Sequence, residues 1–561
     1  MKISRFILIF TVILIFAACG KGSDSVYDYP DDEENQGKTD SDKITDGDPT
    51  DPTNDGDPTD PTNDGDPTDP TNDVDDHDDQ DEINDNDNDN QEIPDGEINF
   101  ENAVFVDQFN GNDSNSGTKS APVQTLGKAV QLSNAIDRNQ IIVSWGFFEE
   151  IPLLKSGVSI FGEYFNNNGN WIKTDDENMK PVFNSPASGL IINQLQNITL
   201  SSIKINSAAP SLPGGSSIGL ILNRCKNIRL RNVSIVTSDA ANGDDGEDGT
   251  QGDNGEDGED GISGCEESSA YFCQHQCSET PVGAAGGLST CGANGGKGGD
   301  AGYNKDNGQP GENGYGSTTN GGPGGEQHYW NANALGHCSR AYSTAINGKN
   351  GENGESGEDG IGGKSFGTFS SSGYTPSDGT DGENGKNGQG GGGGGGGKGG
   401  NENCDSYGSS GGGGGAGGCG GTGGTGGKGG GASVSLIAVS SSNIYIESPV
   451  FETGKGGQGG KGGKGGTRGF PGKGGSSGEY SGETEQDDAG CGGFGGDGGF
   501  GGFGGAGGGG GGGPAVCIVT IGNSSVYSSN IKCLLGQSGN GGSSSVNSGE
   551  KGYRENILNI E

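Results

Sequence analysis

Cysteine is the residue type with the most chemistry to offer in this chain. Of twelve, Cys19 stands alone near the N-terminus and eleven are scattered through the C-terminal two thirds. Cys265, Cys273, Cys277 and Cys291 fall close together, with His275 inside the stretch CQHQC. Thiolates and an imidazole at short spacing can hold zinc, or the thiols can pair as disulfides. Cys225, Cys338, Cys404, Cys419, Cys491, Cys517 and Cys533 complete the candidate disulfide cysteines. Eleven is odd, so at least one thiol is left free or pairs between chains. Connectivity cannot be read from spacing.

Acidic side chains offer the second kind of chemistry. Asp85, Asp87 and Asp89 alternate as the first ligands of a calcium loop do, but no glycine follows and no Glu closes the loop. Loose calcium binding is the weak form of that reading. Cleaving a polysaccharide takes paired carboxylates, or a calcium cluster with a basic residue, on adjacent strands. The strand-like repeats described below carry Thr199, Lys204, Arg224, Lys226, Arg229, Arg231 and Glu447, with no acidic pair. Asp107, Glu149 and Glu150 lie elsewhere. No Ser-His-Asp set or phosphate loop is visible. A GxGxxG match inside the glycine runs is noise, because no strand leads into it as a dinucleotide site requires. Catalytic and cofactor sites are therefore not expected.

Around Cys19 the elements are legible. Met1–Arg5 is basic, Phe6–Phe16 is an apolar run, and Ala17, Ala18 and Cys19 follow. Eleven apolar residues are too few to span a bilayer core, which takes about 20 in a helix. The pattern is that of an export signal. Ala-Ala-Cys resembles the lipobox of bacterial lipoproteins, with Phe16 where that family usually has Leu. The resemblance implies cleavage after residue 18, acylation of Cys19, and a membrane as partner. Two or three acyl chains give firm anchoring. Gly20, in place of the Asp that retains such proteins at the inner membrane, implies sorting to the outer membrane or cell surface. An oxidising exported location favours disulfides over zinc.

The next elements are polar. Residues 24–97 carry 30 Asp and Glu against two Lys, and GDPTDPTND occurs three times in succession from Gly47 to Asp73. Such a segment has almost nothing to bury, and like charges extend it. Residues 19–97 read as a disordered acidic tether. A net charge of −45 also argues against nucleic acid as a partner.

Strand signals begin near Ala103. A strand ending at Asp107 leads through a polar turn into Ala121, Pro122, Thr125, Leu126 and Ala129, with Leu126, Ala129, Val130 and Leu132 at helical spacing. This resembles the entry segment of right-handed parallel β-helix proteins of the pectate-lyase-like superfamily. That superfamily contains many polysaccharide lyases and hydrolases, so a carbohydrate-active β-helix enzyme is the alternative function. Four ungapped copies support the fold from within the chain: 188–207, 218–237, 434–453 and 516–535. Leu190, Leu220, Leu436 and Ile518 share one column. Ile198, Ile228, Ile444 and Val526 share a second; Ile203, Val233, Pro449 and Ile531 a third; Ile205, Ile235, Phe451 and Cys533 a fourth. Asn197, Asn227 and Asn443 line up as corner residues would. Ile141–Trp145 and Val158–Gly162 read as further coils.

Between the copies lie long glycine-rich excursions. Glycine contributes 124 residues, and only 27% of the chain is hydrophobic. In 243–264, 348–360 and 379–400 glycine recurs every third residue; elsewhere the texture is Gly-Gly-X. A period of three fits a threefold extended helix. The Gly-Gly-X runs resemble polyglycine-II bundles, and the acidic triplets are expected to be loose loops.

The predicted fold is thus all-β: a right-handed parallel β-helix interrupted by glycine-rich excursions and preceded by a disordered acidic stalk. Its parts are a signal peptide (1–18), tether (19–97), entry and first coils (98–238), Cys-containing insertion (239–431), coil (432–453), second insertion (454–513), and terminal coil and tail (514–561). The expected role is non-catalytic: structural, adhesive or matrix-binding at a cell surface, with surface glycans or matrix as partners. Binding of ice or another ordered surface is a third reading, which requires Thr422 and Thr425 to form a flat array.

Overall fold

The computed structural model describes residues 98–135, 138–149, 154–264, 280–303, 306–316, 345–399, 407–478 and 490–561. Cys19, the calcium-like aspartates and the whole predicted tether lie outside these residues, as do Glu150, Cys265, Cys273, His275, Cys277, Cys338 and Cys404.

Strands form where aliphatic residues alternate with polar ones. The entry comprises β1 (Ala103–Val106), helix α1 (Leu126–Ala135), β2 (Gln140–Val143), β3 (Phe147–Phe148), β4 (Ser159–Phe161), a hairpin of β5 (Tyr164–Asn167) and β6 (Asn170–Lys173), and β7 (Val182–Ser185). Then come triads of strands: β8 (Leu190–Asn193), β9 (Gln196–Ser201) and β10 (Lys204–Ser207), followed by β11 (Ser217–Asn223), β12 (Lys226–Arg231) and β13 (Ser234–Thr237). A hairpin, β14 (Thr368–Ser370) and β15 (Gly373–Thr375), lies inside the first long excursion. The triads resume with β16 (Ser433–Val439), β17 (Ser442–Glu447) and β18 (Val450–Glu452), then β19 (Ala515–Ile521), β20 (Val526–Ser529) and β21 (Lys532–Leu534). β22 (Arg554–Ile560) ends the series.

These strands build three parallel sheets. The first runs β1-β2-β4-β9-β12-β17-β20, the second β3-β7-β10-β13-β18-β21 and the third β8-β11-β16-β19-β22. Every triad gives its first strand to the third sheet, its second to the first and its third to the second. Parallel neighbours need a crossover; here the crossover is the passage through the other two sheets. The described residues are mostly parallel β-strand in an all-β arrangement, and α1 is the one α-helix among them.

The predicted columns are the observed registers. Leu220 pairs with Leu190 and Leu436, Leu436 with Ile518, and Ile518 with Ile557, which adds a fifth member. Ile228 pairs with Ile198 and Ile444, and Ile235 with Ile205 and Phe451. All of these side chains but Ile557, which is exposed, meet in one core between the three sheets, joined by Leu126, Ala129 and Val130 of α1. Burying each Ile or Leu stabilises by roughly 1.5–3 kcal/mol. The central strands of the third sheet, β11, β16 and β19, are buried on both faces, and Phe369 and Tyr374 of the β14–β15 hairpin share the outer cluster with Ile218, Ile437 and Val519. At the corner before the first sheet Asn197, Asn227 and Asn443 all adopt positive φ, which asparagine tolerates. Asn227 Nδ2 donates to Asn197 Oδ1, and Asn443 Nδ2 to Asn227 Oδ1, each at 2.9 Å.

All three long excursions leave a second-sheet strand and return to a third-sheet strand: β13 to β16, β18 to β19, and β21 to β22. The strand register carries on into them. Ser234 pairs with Val450, an offset of 216 that recurs where Lys461 N–H donates to Asp245. The returning limbs behave alike: Ser433 pairs with Ala515, and further out Gly412 N–H donates to Gly493 O at 3.0 Å.

Residues 407–431 are the centre of the bundle. Gly412, Gly413 and Gly414 donate to Gly493, Glu259 and Gly296, on three different segments, at 3.0, 2.9 and 2.8 Å. Gly415, Ala416 and Gly417 repeat the three directions toward Gly496, Glu256 and Ala293. That is threefold periodicity expressed in hydrogen bonds. A Cβ on Gly414 would lie 2.0 Å from Gly391 O, so the close approach requires glycine there.

The expectation of loose loops for the acidic triplets is corrected. Gly243, Gly246, Gly249 and Gly252 donate to the carbonyls of Gln458, Lys461, Lys464 and Thr467 at 2.7–2.9 Å. In 348–360 and 379–397 the glycine N–H groups are likewise bonded to neighbouring segments. The mutual bonding offsets the ordering entropy of glycine, which is the largest of any residue.

Candidate functional site

One disulfide lies within the first long excursion and one within the last triad of strands. Cys291 bonds Cys419, joining 280–303 to the central segment, and Cys517 bonds Cys533 across the last triad. Cys491 is also disulfide-bonded. Cys225, counted among the candidate disulfide cysteines, is instead a buried free thiol. Its side chain faces the core between β11 and β12, with the Ile192 carbonyl 3.2 Å from Sγ. Burial pushes its pKa up, against opposing backbone hydrogen bonds.

The polar strand residues meet on the outer face of the first sheet. Period-two alternation turns Ile228 and Leu230 inward and Arg229 and Arg231 outward. One cross-strand row reads Thr199, Arg229, Tyr445, Tyr527, and the next Ser201, Arg231, Glu447, Ser529. The Tyr445 and Tyr527 rings stack at 5.3 Å. Arg229 Nε lies 3.1 Å from Glu447 Oε1, and Arg231 Nη2 lies 3.1 Å from Glu163 Oε1. Glu163 is 3% exposed and pairs at the corner beyond β4. Arg224 and Lys226 are exposed at the start of β12, and Lys204 begins β10 half-buried.

The remaining carboxylates of interest have structural partners. Asp107 Oδ1 accepts from the N–H groups of Phe109 and Asn110 at 3.0 Å, and Oδ2 from Asn166 Nδ2 at 2.7 Å. That fits the entry-turn role expected of it. Glu149 Oε1 accepts from Asn184 Nδ2 at 2.9 Å. Among the described residues, no group of three or more His, Cys, Asp or Glu is placed to hold a metal ion. None of their helices is long and apolar enough to cross a membrane. An open hollow of about 580 Å³ beside β1 is lined by Phe100, Lys119 and Arg138, with Glu101 as its one carboxylate.

Thr422 and Thr425 point at a neighbouring segment. Their hydroxyls accept from the N–H groups of Thr250 and Glu247 at 2.6 and 2.7 Å. Both take part in cohesion of the bundle.

Sequence reasoning missed the role of the acids that precede glycine. Asp245, Asp248 and Asp257 accept from the backbone N–H groups of Lys461, Lys464 and Lys473 at 2.6–2.8 Å, and Asp239, which precedes Ala240, accepts likewise from Lys455 at 2.7 Å. A second row joins Phe494, Asp497 and Phe500 to Asn347, Asn350 and Asn353. The signal was present as Asp or Asn directly before most of these glycines, but the partner lies far away in sequence.

A protein-family model described as "Protein of unknown function (DUF1565)" matches residues 109–212, from the entry turn through α1 to the loop before β11. No curated protein and no solved structure matches the chain.

Proposed function

We propose that this chain is an exported lipoprotein, acylated at Cys19 and raised from the membrane on its acidic tether. Its folded part is a right-handed parallel β-helix carrying a polyglycine-II bundle, and its role is adhesion or matrix packing at the cell surface. One observation carries the reading. Excursions from successive triads leave at the same corner and bond into one bundle without losing the strand register. Such a bundle projects rows of X side chains on a stiff backbone, which is what a contact surface needs. The cyclic visits to three parallel sheets, and the family-model match over the entry and first triad, support the β-helix.

The reading is of a non-catalytic protein. In support, Glu447 and Glu163 are each held by a guanidinium, and Asp107 by its own turn. The threonine hydroxyls are bonded within the bundle, which speaks against an ordered-surface array.

The test has two arms. Cells making the full chain are labelled with radioactive fatty acid, with and without Cys19→Ser, and surface exposure is read by protease shaving. Adhesion is then compared with a chain lacking 239–431. Equal labelling of both chains sinks the anchor, and unchanged adhesion sinks the role given to the bundle.

A further inference from the structure

Lys180, two residues before β7, is a buried lysine, 4% exposed. Lysine is almost never buried unless its ammonium is paired. Three acceptors surround this one. Glu177 Oε1 lies 2.7 Å from Nζ. Asn232 receives two hydrogen bonds from Nζ, at its backbone O (2.8 Å) and at Oδ1 (3.0 Å). Glu177 opens the short 3-10 turn Glu177–Met179, and its side chain reaches Nζ from the solvent side. Asn232 occupies the corner between β12 and β13.

That corner is held in place. Asn232 N–H donates to Glu447 O and Ser202 N–H to Arg231 O, each at 2.9 Å. Asn232 Nδ2 donates to Ser202 Oγ at 3.2 Å. Asn232 takes positive φ, but so do Ser202 and Ser448 at the equivalent corners, so the fold does not require an amide there. A fixed carboxamide, a buried amine, and a carboxylate within hydrogen-bond reach of that amine are the parts of an amide-forming site. Cγ is one bond of about 1.23 Å beyond Oδ1, so a turn of the amide plane brings it within reach of Nζ.

We propose that Lys180 and Asn232 join in an intramolecular isopeptide bond, with Glu177 as proton carrier. Glu177 takes one proton from the ammonium, which frees the Nζ lone pair. Nζ then adds to Cγ, and a second Nζ proton passes to Nδ2. The Cγ–Nδ2 bond breaks and its electron pair leaves with the nitrogen. The ammonia so formed takes the proton from Glu177 and departs as ammonium, which returns Glu177 to a carboxylate. Nothing is oxidised or reduced. The product ties the entry segment to the second full triad, 52 residues on, and skips β10, which lies between β7 and β13. Unlike a disulfide, the tie survives reductant. The inference stands independently of the adhesive reading above.

The experiment uses the full chain, purified in detergent, reduced, digested and mapped by mass spectrometry. The wild type should yield a branched pair of peptides joined through Lys180 and Asn232, lighter than their sum by one ammonia. Lys180→Arg keeps a cation but no amine to acylate, and Asn232→Ala removes the carbonyl; both should give separate peptides only. Glu177→Gln keeps both reacting groups, and should cut the linked fraction, read at a fixed time after synthesis, by at least about tenfold. Separate peptides from the wild type would make the contact an ion pair only and overturn the bond, whether or not any variant folds. An undiminished linked fraction in Glu177→Gln would overturn the role given to Glu177.

Discussion

The backbone N–H of Lys461 donates to Asp245 Oδ1 at 2.8 Å, across 216 residues of sequence. The Lys461 ammonium also lies 3.7 Å from Asp245 Oδ2. Both groups are exposed, and an exposed ion pair contributes about 0–1 kcal/mol. The N–H acceptor is the larger part, because it serves a backbone donor that faces no glycine carbonyl. Asp245→Ala should destabilise by about 1 kcal/mol, and Asp245→Asn, which keeps the oxygen, by less than about 0.5. Denaturant titration of both variants decides the matter; equal losses would make charge the cause.

Gly414 tests the packing of the bundle. Its Cβ position is occupied by the Gly391 peptide, at 2.0 Å from O and 2.6 Å from C. Backbone cannot rotate aside as a side chain can. Gly414→Ala should cost more than about 3 kcal/mol, at the upper end of overpacking losses. Gln458→Ala, at an exposed X position, should stay within about 0.5 kcal/mol. Thermal melts of the two variants give the comparison.

How much was legible follows from the distance between a residue and its partner. The columns through Leu220, Ile228 and Ile235 were readable because period-two alternation is local and four copies share it. The Asn197–Asn227–Asn443 corner was readable for the same reason. The order of 243–264 was not, since an Asp-Gly-rich string has the same composition whether solvated or bonded. What orders it is Lys461 and its neighbours, brought alongside by the strands on either side. Nor could spacing reveal that Cys291 pairs with Cys419, 128 residues on, or that Cys225 stays free. The β14–β15 hairpin was hidden inside a glycine-rich excursion, with only Phe369 and Tyr374 to mark it.

Cys225 should resist alkylation. Only the thiolate reacts, and burial raises this thiol above its ordinary pKa of 9.0. At mildly alkaline pH the native protein should leave Cys225 unlabelled by iodoacetamide, and unfolding without reductant should label it fully. Peptide mapping of the same sample should recover Cys291 linked to Cys419 and Cys517 linked to Cys533. Rapid labelling of the native protein would show that the core around β11 opens.

Asp113 makes stability depend on acid. Burial works to raise its pKa, but the Thr125 N–H and hydroxyl, the Gln124 N–H and Lys128 outweigh it, leaving the carboxyl below its ordinary 3.8. Asp300 is also held low, first by the Gly283 N–H at 2.7 Å. A depressed folded pKa contributes stability that is present above the unfolded value and lost as pH falls through the folded one. Melting temperature should therefore fall between about pH 5 and pH 2. Asp113→Asn should lower it near neutrality and flatten the fall. An identical pH profile in wild type and variant would remove Asp113 from the linkage.

Continuity of register makes phase matter more than length. Each column of the outgoing limb recurs every third residue, so one extra residue after Gly255 turns all later columns by about 120°. Asp257 and Asp260 would then face away from the N–H groups of Lys473 and Ser476. An inserted Glu-Asp-Gly triplet at the same point keeps the facing, because its Asp takes the place opposite Lys473 and Asp257 moves on to Ser476. The single insertion should therefore abolish hydrogen-exchange protection at the Gly258 and Gly261 amides, which bond Lys473 O and Ser476 O at 2.8 Å in the native chain. The triplet insertion should leave Gly258 protected and the melting temperature near wild type. Equal damage from both would mean that the limb tolerates no change in length, and equal tolerance would mean that the 216-residue register is not what orders it.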